Sequence, residues 1–198
     1  MTQYALPDAD DTDGSWTDKD GGTVLYTSID DAVGSADDVT TYIKVEDFSS
    51  NEVCIVRLGD VSAPGSSGTY IKFKALTTDN SSMGGEPRLQ LELLQGDIVK
   101  ATTPTTIIST SSWTAYEYTI ADVSGISDWT ALKMRITMVS QGTGMSDYMQ
   151  VTQVYLETQD AAAAATNNSQ SFSLVADGAM GTSFSLVGDD ESPANVRI

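Results

Sequence analysis

Leu132-Lys-Met-Arg-Ile-Thr-Met138 decides the structural class of this chain. Leu132, Met134, Ile136 and Met138 fall on one phase of a two-residue period, and Lys133, Arg135 and Thr137 fall on the other. That is the signature of a strand with one face in a core and one in water. The same period recurs on either side. Leu89, Leu91 and Leu93 alternate with Arg88, Gln90 and Glu92; Ile71, Phe73 and Ala75 alternate with Tyr70, Lys72 and Lys74. Cys54, Val56 and Leu58 alternate with Val53, Ile55 and Arg57, and Tyr116, Tyr118 and Ile120 with Ala115, Glu117 and Thr119. The run from Met149 to Leu156 is apolar on both phases, so its faces are not assigned by period.

Between these runs stand Ala63-Pro-Gly-Ser-Ser-Gly68, the Gly- and Asn-bearing stretch 78–85, Gln95-Gly-Asp97 and Gln141-Gly-Thr-Gly144. Gly and Asn supply positive φ and Pro fixes φ, so each cluster predicts a turn. Strand, turn and strand at this spacing predict an all-β fold, a sandwich of two antiparallel sheets. One short helical turn is expected in Tyr26-Thr-Ser-Ile-Asp-Asp-Ala-Val33, with Ser28 as its cap. Ala161 to Ala165 is too short to repay helix nucleation and reads as the start of a linker.

The chain divides by composition into a sandwich body, residues 1–159, and an extended C-terminal arm, residues 160–198, rich in Ala, Asn, Ser, Gly and Asp. Within the arm one string occurs twice at an offset of twelve residues, Ser171-Phe-Ser-Leu-Val175 and Ser183-Phe-Ser-Leu-Val187. Each copy alternates Phe and Leu against Ser, a short strand with one apolar face. Covering Phe172, Leu174, Val175, Phe184, Leu186 and Val187 is worth about 9–18 kcal/mol at roughly 1.5–3 each. Backbone ordering at about 1–2 kcal/mol per residue limits that gain to the two strings themselves. These six residues are therefore expected to bind a partner through added strands.

A net charge of −18 and a pI near 4.1 repel a nucleic-acid backbone and an anionic membrane, so neither is expected as a partner. Cys54 is the single cysteine, set between Val53 and Ile55, and is expected to be a buried small hydrophobe outside any disulfide. The opening residues lack a basic and an apolar region, and no stretch approaches 18 apolar residues, which predicts synthesis and folding in the cytoplasm.

Several spaced stretches, taken together, carry a resemblance to a known family. They are Pro7-Asp-Ala-Asp10, Gly14-Ser-Trp-Thr17, Leu25-Tyr-Thr-Ser-Ile-Asp30, Asp37-Asp38, Tyr42-Ile43 and Tyr70-Ile-Lys-Phe-Lys-Ala75. The likeness continues in Leu91-Glu-Leu-Leu-Gln-Gly96, Trp113-Thr-Ala-Tyr-Glu-Tyr118, Ser127 to Ile136 and Val154-Tyr-Leu-Glu157. Spanning residues 7 to 158, the pattern resembles a jelly-roll module common in tailed-phage virion proteins. The resemblance implies a two-sheet antiparallel jelly-roll and a place on the virion exterior, as capsid decoration or as a tail or fibre component. The expected partners are then the major capsid protein or neighbouring copies of this chain in a homo-oligomer on the particle. The arm would be the anchor.

The absence of His removes His-based triads, His-ligated metals and the commonest general base. Pairs of carboxylates remain available for glycoside hydrolysis, but Asp30-Asp31, Asp37-Asp38 and Asp189-Asp190-Glu191 sit beside turn residues where solvated surface accounts for them. No enzyme is expected. Asp8, Asp10, Asp11 and Asp13 form the densest acidic cluster and suit an irregular calcium turn, calcium being the one cofactor the sequence raises. A solvated turn explains the same residues. Trp16, Trp113 and Trp129 are candidates for stacking against sugar rings, with burial in the core as the alternative. Two functions follow: a capsid decoration or cement protein anchored by its arm, or a carbohydrate- or receptor-binding module of a phage tail or tail fibre.

Overall fold

The computed structural model describes residues 1–46, 50–77, 87–139 and 148–160. Twelve strands among them form two six-stranded antiparallel sheets. Sheet I contains β1 (Thr2–Ala5), β3 (Thr17–Asp18), β4 (Ile43–Glu46), β6 (Pro64–Thr77), β10 (Thr114–Ile120) and β12 (Tyr148–Asp160), in the order β10-β6-β12-β4-β3 with β1 also on β12. Sheet II contains β2 (Pro7–Thr12), β5 (Glu52–Leu58), β7 (Arg88–Gln95), β8 (Ile98–Thr102), β9 (Thr106–Ile107) and β11 (Leu132–Val139), in the order β2-β5-β11-β7-β8 with β9 also on β7. The chain crosses from one sheet to the other at nearly every long connection, as in a jelly-roll sandwich.

The two-residue period places the core as expected on the five runs it resolved. Cys54, Val56, Ile71, Phe73, Ala75, Leu89, Leu91, Leu93, Met134, Ile136 and Met138 all point inward and join residues of both sheets in one buried cluster. Register fixes the layers. Ile136 stands opposite both Cys54 and Leu91, and Met134 opposite both Val56 and Leu93. Burial also raises the pKa of the Cys54 thiol well above its ordinary value, with the charges of Asp10 and Asp13 adding to the effect.

Two expectations are corrected, and one left open is settled. Ala63 to Gly68 is not simply a turn, because β6 already begins at Pro64 and Pro64 stands opposite Asp160 at the end of β12. The helical turn is a single 3₁₀ turn, Tyr26–Ser28, and Ser28 lies inside it. Its free N–H groups are met from elsewhere: the Asp10 carboxylate accepts from Leu25 N at 2.9 Å and from Tyr26 N at 2.8 Å. Met149 to Leu156 is buried on both faces.

That double burial has a cause in the topology. β12 is an inner strand of sheet I, with β6 along one side and β4 then β1 along the other. Between β4 and β1 the gap is filled by the 3₁₀ region, where Ile29 O accepts from Val154 N. The segment that follows lies over the outward face. Gln153 Nε2 donates to the carbonyls of Asp31 and Ala32, Thr152 Oγ1 donates to Thr41 O, and Asp38 pairs with Lys74 of β6. Residues 31–42 thus form a strap across part of sheet I. Thr152 is the extra residue of a bulge between Val151 and Gln153. The repeated arm strings, residues 171–175 and 183–187, lie outside the described residues.

Candidate functional site

The outward face of sheet I that the strap leaves open carries the chemistry. Cross-strand register sorts its side chains into rows. One row runs Tyr4 (β1), Glu157 (β12), Tyr70 (β6), Thr119 (β10). The next runs Tyr155, Lys72, Glu117, and a third runs Gln153, Lys74, Ala115. The third row lies at the strap, where Gln153 and Lys74 are held by residues 31, 32 and 38, so with strands about 4.8 Å apart and like-facing residues about 6.8 Å apart the open patch is roughly 14 Å by 7 Å.

Lys72 is its centre. The ammonium lies 2.8 Å from Glu117 Oε2 and 2.8 Å from Glu157 Oε2, and 5.3 Å from the centroid of the Tyr70 ring. Burial opposes its charge, but the hydrogen bonds and charges of Glu117 and Glu157 outweigh it and hold the amine protonated beyond its ordinary range. Tyr155 is nearly buried, and burial raises its pKa with Lys72 pulling the other way. The Tyr4 ring meets the Tyr155 ring edge-on at 5.9 Å and is itself 43% exposed. Lys72, Lys74, Glu117, Gln153 and Tyr155 line a hollow of about 310 Å³. At the strapped end, Tyr42 and Trp113 stand 5.9 Å apart.

The arrangement presents acceptors, donors and ring faces at fixed positions. Both carboxylates are tied to one ammonium, which fixes them as acceptors for hydroxyl groups. The outward face of sheet II differs. Arg135 pairs with Glu92 at 2.8 Å and Lys133 with Asp11 at 2.9 Å, but β5, β7 and β11 put no aromatic ring there.

The residues singled out in the sequence are dispersed. Trp16 is 1% exposed and Trp129 is 8% exposed, so both belong to the core and offer no stacking surface. Trp113 alone of the three is partly open. Asp8, Asp10 and Asp11 all lie on β2, whose register with β5 shifts between Pro7 and Ala9 and again between Asp10 and Thr12, and they do not converge on a cation. Asp10 holds the 3₁₀ turn, Asp11 pairs with Lys133, and the Asp13 carbonyl accepts from Trp16 N. Among the described residues no group of three or more His, Cys, Asp or Glu stands where it could hold a metal.

No family model and no curated protein matches the chain. Solved structures superpose on it at low identity. The xylan-binding module CBM15 gives a TM-score of 0.46 at 10% identity, over 81% of this chain and 99% of that one. An arabinose-bound α-L-arabinofuranosidase of type GH51 gives 0.44 at 13%, over 64% of this chain and only 20% of that one. The adhesin domain of Lys-gingipain from Porphyromonas gingivalis gives 0.44 at 10%, over 79% and 99%. Likeness at this level decides no ligand for this chain, and none of these comparisons supports the resemblance to virion modules.

Proposed function

We propose that the chain is a non-catalytic binding module for uncharged glycans and that it holds them on the open face of sheet I. The observation that carries this reading is the row Tyr155–Lys72–Glu117 beside Tyr4, Glu157 and Tyr70. Sugar rings offer C–H faces that pack on aromatic rings, and hydroxyls that donate to carboxylates and accept from ammonium and amide groups. This face supplies each of those partners, locked in place by ion pairs before any ligand arrives. Lys72 and Lys74 are already neutralised by Glu117, Glu157 and Asp38, and the net charge is −18, so neutral sugars are favoured over anionic ones.

The test is a glycan array followed by titration calorimetry on the best neutral oligosaccharide. Tyr4→Ala and Glu117→Ala should each weaken binding about tenfold, equivalent to about 1.4 kcal/mol, while Arg135→Ala on sheet II should leave it unchanged. The reading fails if no neutral glycan binds, or if the sheet II variant is the one that loses affinity. The decoration reading rests on the resemblance to virion modules and on the arm strings, and draws nothing from this face.

A further inference from the structure

The sandwich is unfinished along one side. β10 forms the edge of sheet I and, among the described residues, pairs only with β6. Its inward residues Tyr116, Tyr118 and Ile120 pack on the core but stay partly open, whereas Ile71 and Phe73 one strand further in are closed over. Beside it, towards β8 of sheet II, lies a hollow of about 430 Å³ whose wall includes Ile71, Lys100, Ala101, Pro104, Tyr118 and Ile120. The edge carries a single charge, Glu117, and otherwise lacks the features that usually blunt an exposed strand. Thr114 to Ile120 contains no Pro, Gly or Lys, and its register with β6 runs without a bulge for seven residues. The other edges are poorer templates: β3 has two residues, and β2 and β8 carry register shifts.

We infer that the β10 edge and its hollow receive, as an added strand, one Ser-Phe-Ser-Leu-Val string from the arm of a second copy of this chain. The string has the matching pattern. Phe172 and Leu174, or Phe184 and Leu186, share one face of an extended segment and enter the hollow over Tyr118 and Ile120. The intervening serines lie outward beside Ala115, Glu117 and Thr119. Phe73 already stacks on Tyr116 at 5.0 Å and on Tyr118 at 6.1 Å, and an incoming Phe extends that aromatic row by one. The string comes from a second copy: two copies that exchange strings each give one and receive one, which closes the pair, whereas a chain that filled its own edge would stay monomeric. Backbone hydrogen bonds give affinity in such strand addition, and the alternate side-chain pockets give selectivity. This inference stands apart from the glycan reading.

The experiment uses the full chain in sedimentation velocity over a rising concentration series. Wild type should self-associate. Phe172→Ser/Phe184→Ser, which changes only the arm, and Ile120→Lys, which changes only the edge, should each weaken association at least tenfold with unchanged far-UV circular dichroism. An equimolar mixture of these two variants should associate again, since one supplies intact strings and the other an intact edge. If Ile120→Lys does not fold, Thr119→Pro serves as the edge variant, and a peptide spanning residues 170–177 should slow hydrogen exchange of the β10 amides in the Phe172→Ser/Phe184→Ser chain. A wild type that is monomeric throughout, variants that associate like wild type, or a mixture that stays monomeric each overturns the inference.

Discussion

Replacing Lys72 with Met removes the ammonium at the centre of the open face and keeps most of the apolar stem. Glu117 and Glu157 each lie 2.8 Å from that nitrogen, so their facing oxygens stand no further apart than twice 2.8 Å, about 5.6 Å. Without the cation, two carboxylates at that distance repel by about 3 kcal/mol at an effective dielectric of 20 and about 0.7 in bulk water. The side chain of Glu157 is 14% exposed and that of Glu117 is 55% exposed, which sets the pair between these limits. The expected destabilisation is about 2 kcal/mol, a fall in Tm of roughly 4–8 °C for a domain of this size. Urea unfolding at pH 7 measures it. Lys72→Met/Glu157→Gln should recover more than half of the loss, because it discharges the more enclosed carboxylate. A single variant within 0.5 kcal/mol of wild type, or a double variant no better than the single, would refute the idea that this ion-paired triad is what fixes the face.

Two further outcomes follow from the same contacts. Asp10→Ala should cost about 1.5–3 kcal/mol in urea unfolding by leaving the N–H groups of Leu25 and Tyr26 without their acceptor, and calcium or a chelator should not shift the wild-type Tm, since Asp10 and Asp11 are committed elsewhere. Lys72 and Tyr155 both have pKa values raised from their ordinary 10.5 and 10.0, so the folded state holds protons that the unfolded state releases first. Their contribution is complete below about pH 10 and fades as pH rises above it; unfolding followed from pH 8 to 12 should show stability falling, and the fall should be shallower in Lys72→Met/Tyr155→Phe.

Much of the fold is legible in the sequence because burial on a strand has a period of two. Leu132 to Met138 reads correctly since β11 lies between β5 and β7 with one face in the core. Period fails where a strand is covered on both faces. β12 shows no alternation because the strap over residues 150–153 hides its outward side, and that cover comes from a segment more than a hundred residues earlier. Leu94 is a second case: its register with Lys133 of β11 is regular, so it stands on the outward face of sheet II outside the core cluster, and yet it is 1% exposed.

The site was less legible for a related reason. Trp draws attention in a sequence, yet Trp16 and Trp129 are large apolar bodies that this core consumes. Among the described residues the ring left most open is Tyr4, and such a tyrosine alone reads as ordinary surface. Tyr4, Lys72, Glu117 and Tyr155 come from four strands, and only register brings them into adjacent rows. The signal present in the sequence was Tyr on the wet phase of a run that also carries Lys, as in Tyr70-x-Lys72; the last run has no wet phase by period, so Tyr155 and Glu157 gave no such signal.

The two proposals bear on each other through geometry. An open, shallow face makes few contacts with each sugar, so a single site of this kind binds weakly. Yet Tyr155 and Glu157 are mounted on β12, an inner strand packed against β6, β1 and β4, so the face loses little entropy when it is occupied. Strand addition at β10 would leave that face uncovered, because an added strand extends sheet I sideways in its own plane. Its outward serines would prolong the rows that already end at Thr119 and Glu117. Copies joined in this way would present several weak faces at once, and tethering raises the effective concentration of the second face to the millimolar range, multiplying the apparent affinity by about 10² or more. Association and glycan avidity should therefore fall together in Phe172→Ser/Phe184→Ser, while the affinity of one isolated face for a short oligosaccharide stays the same.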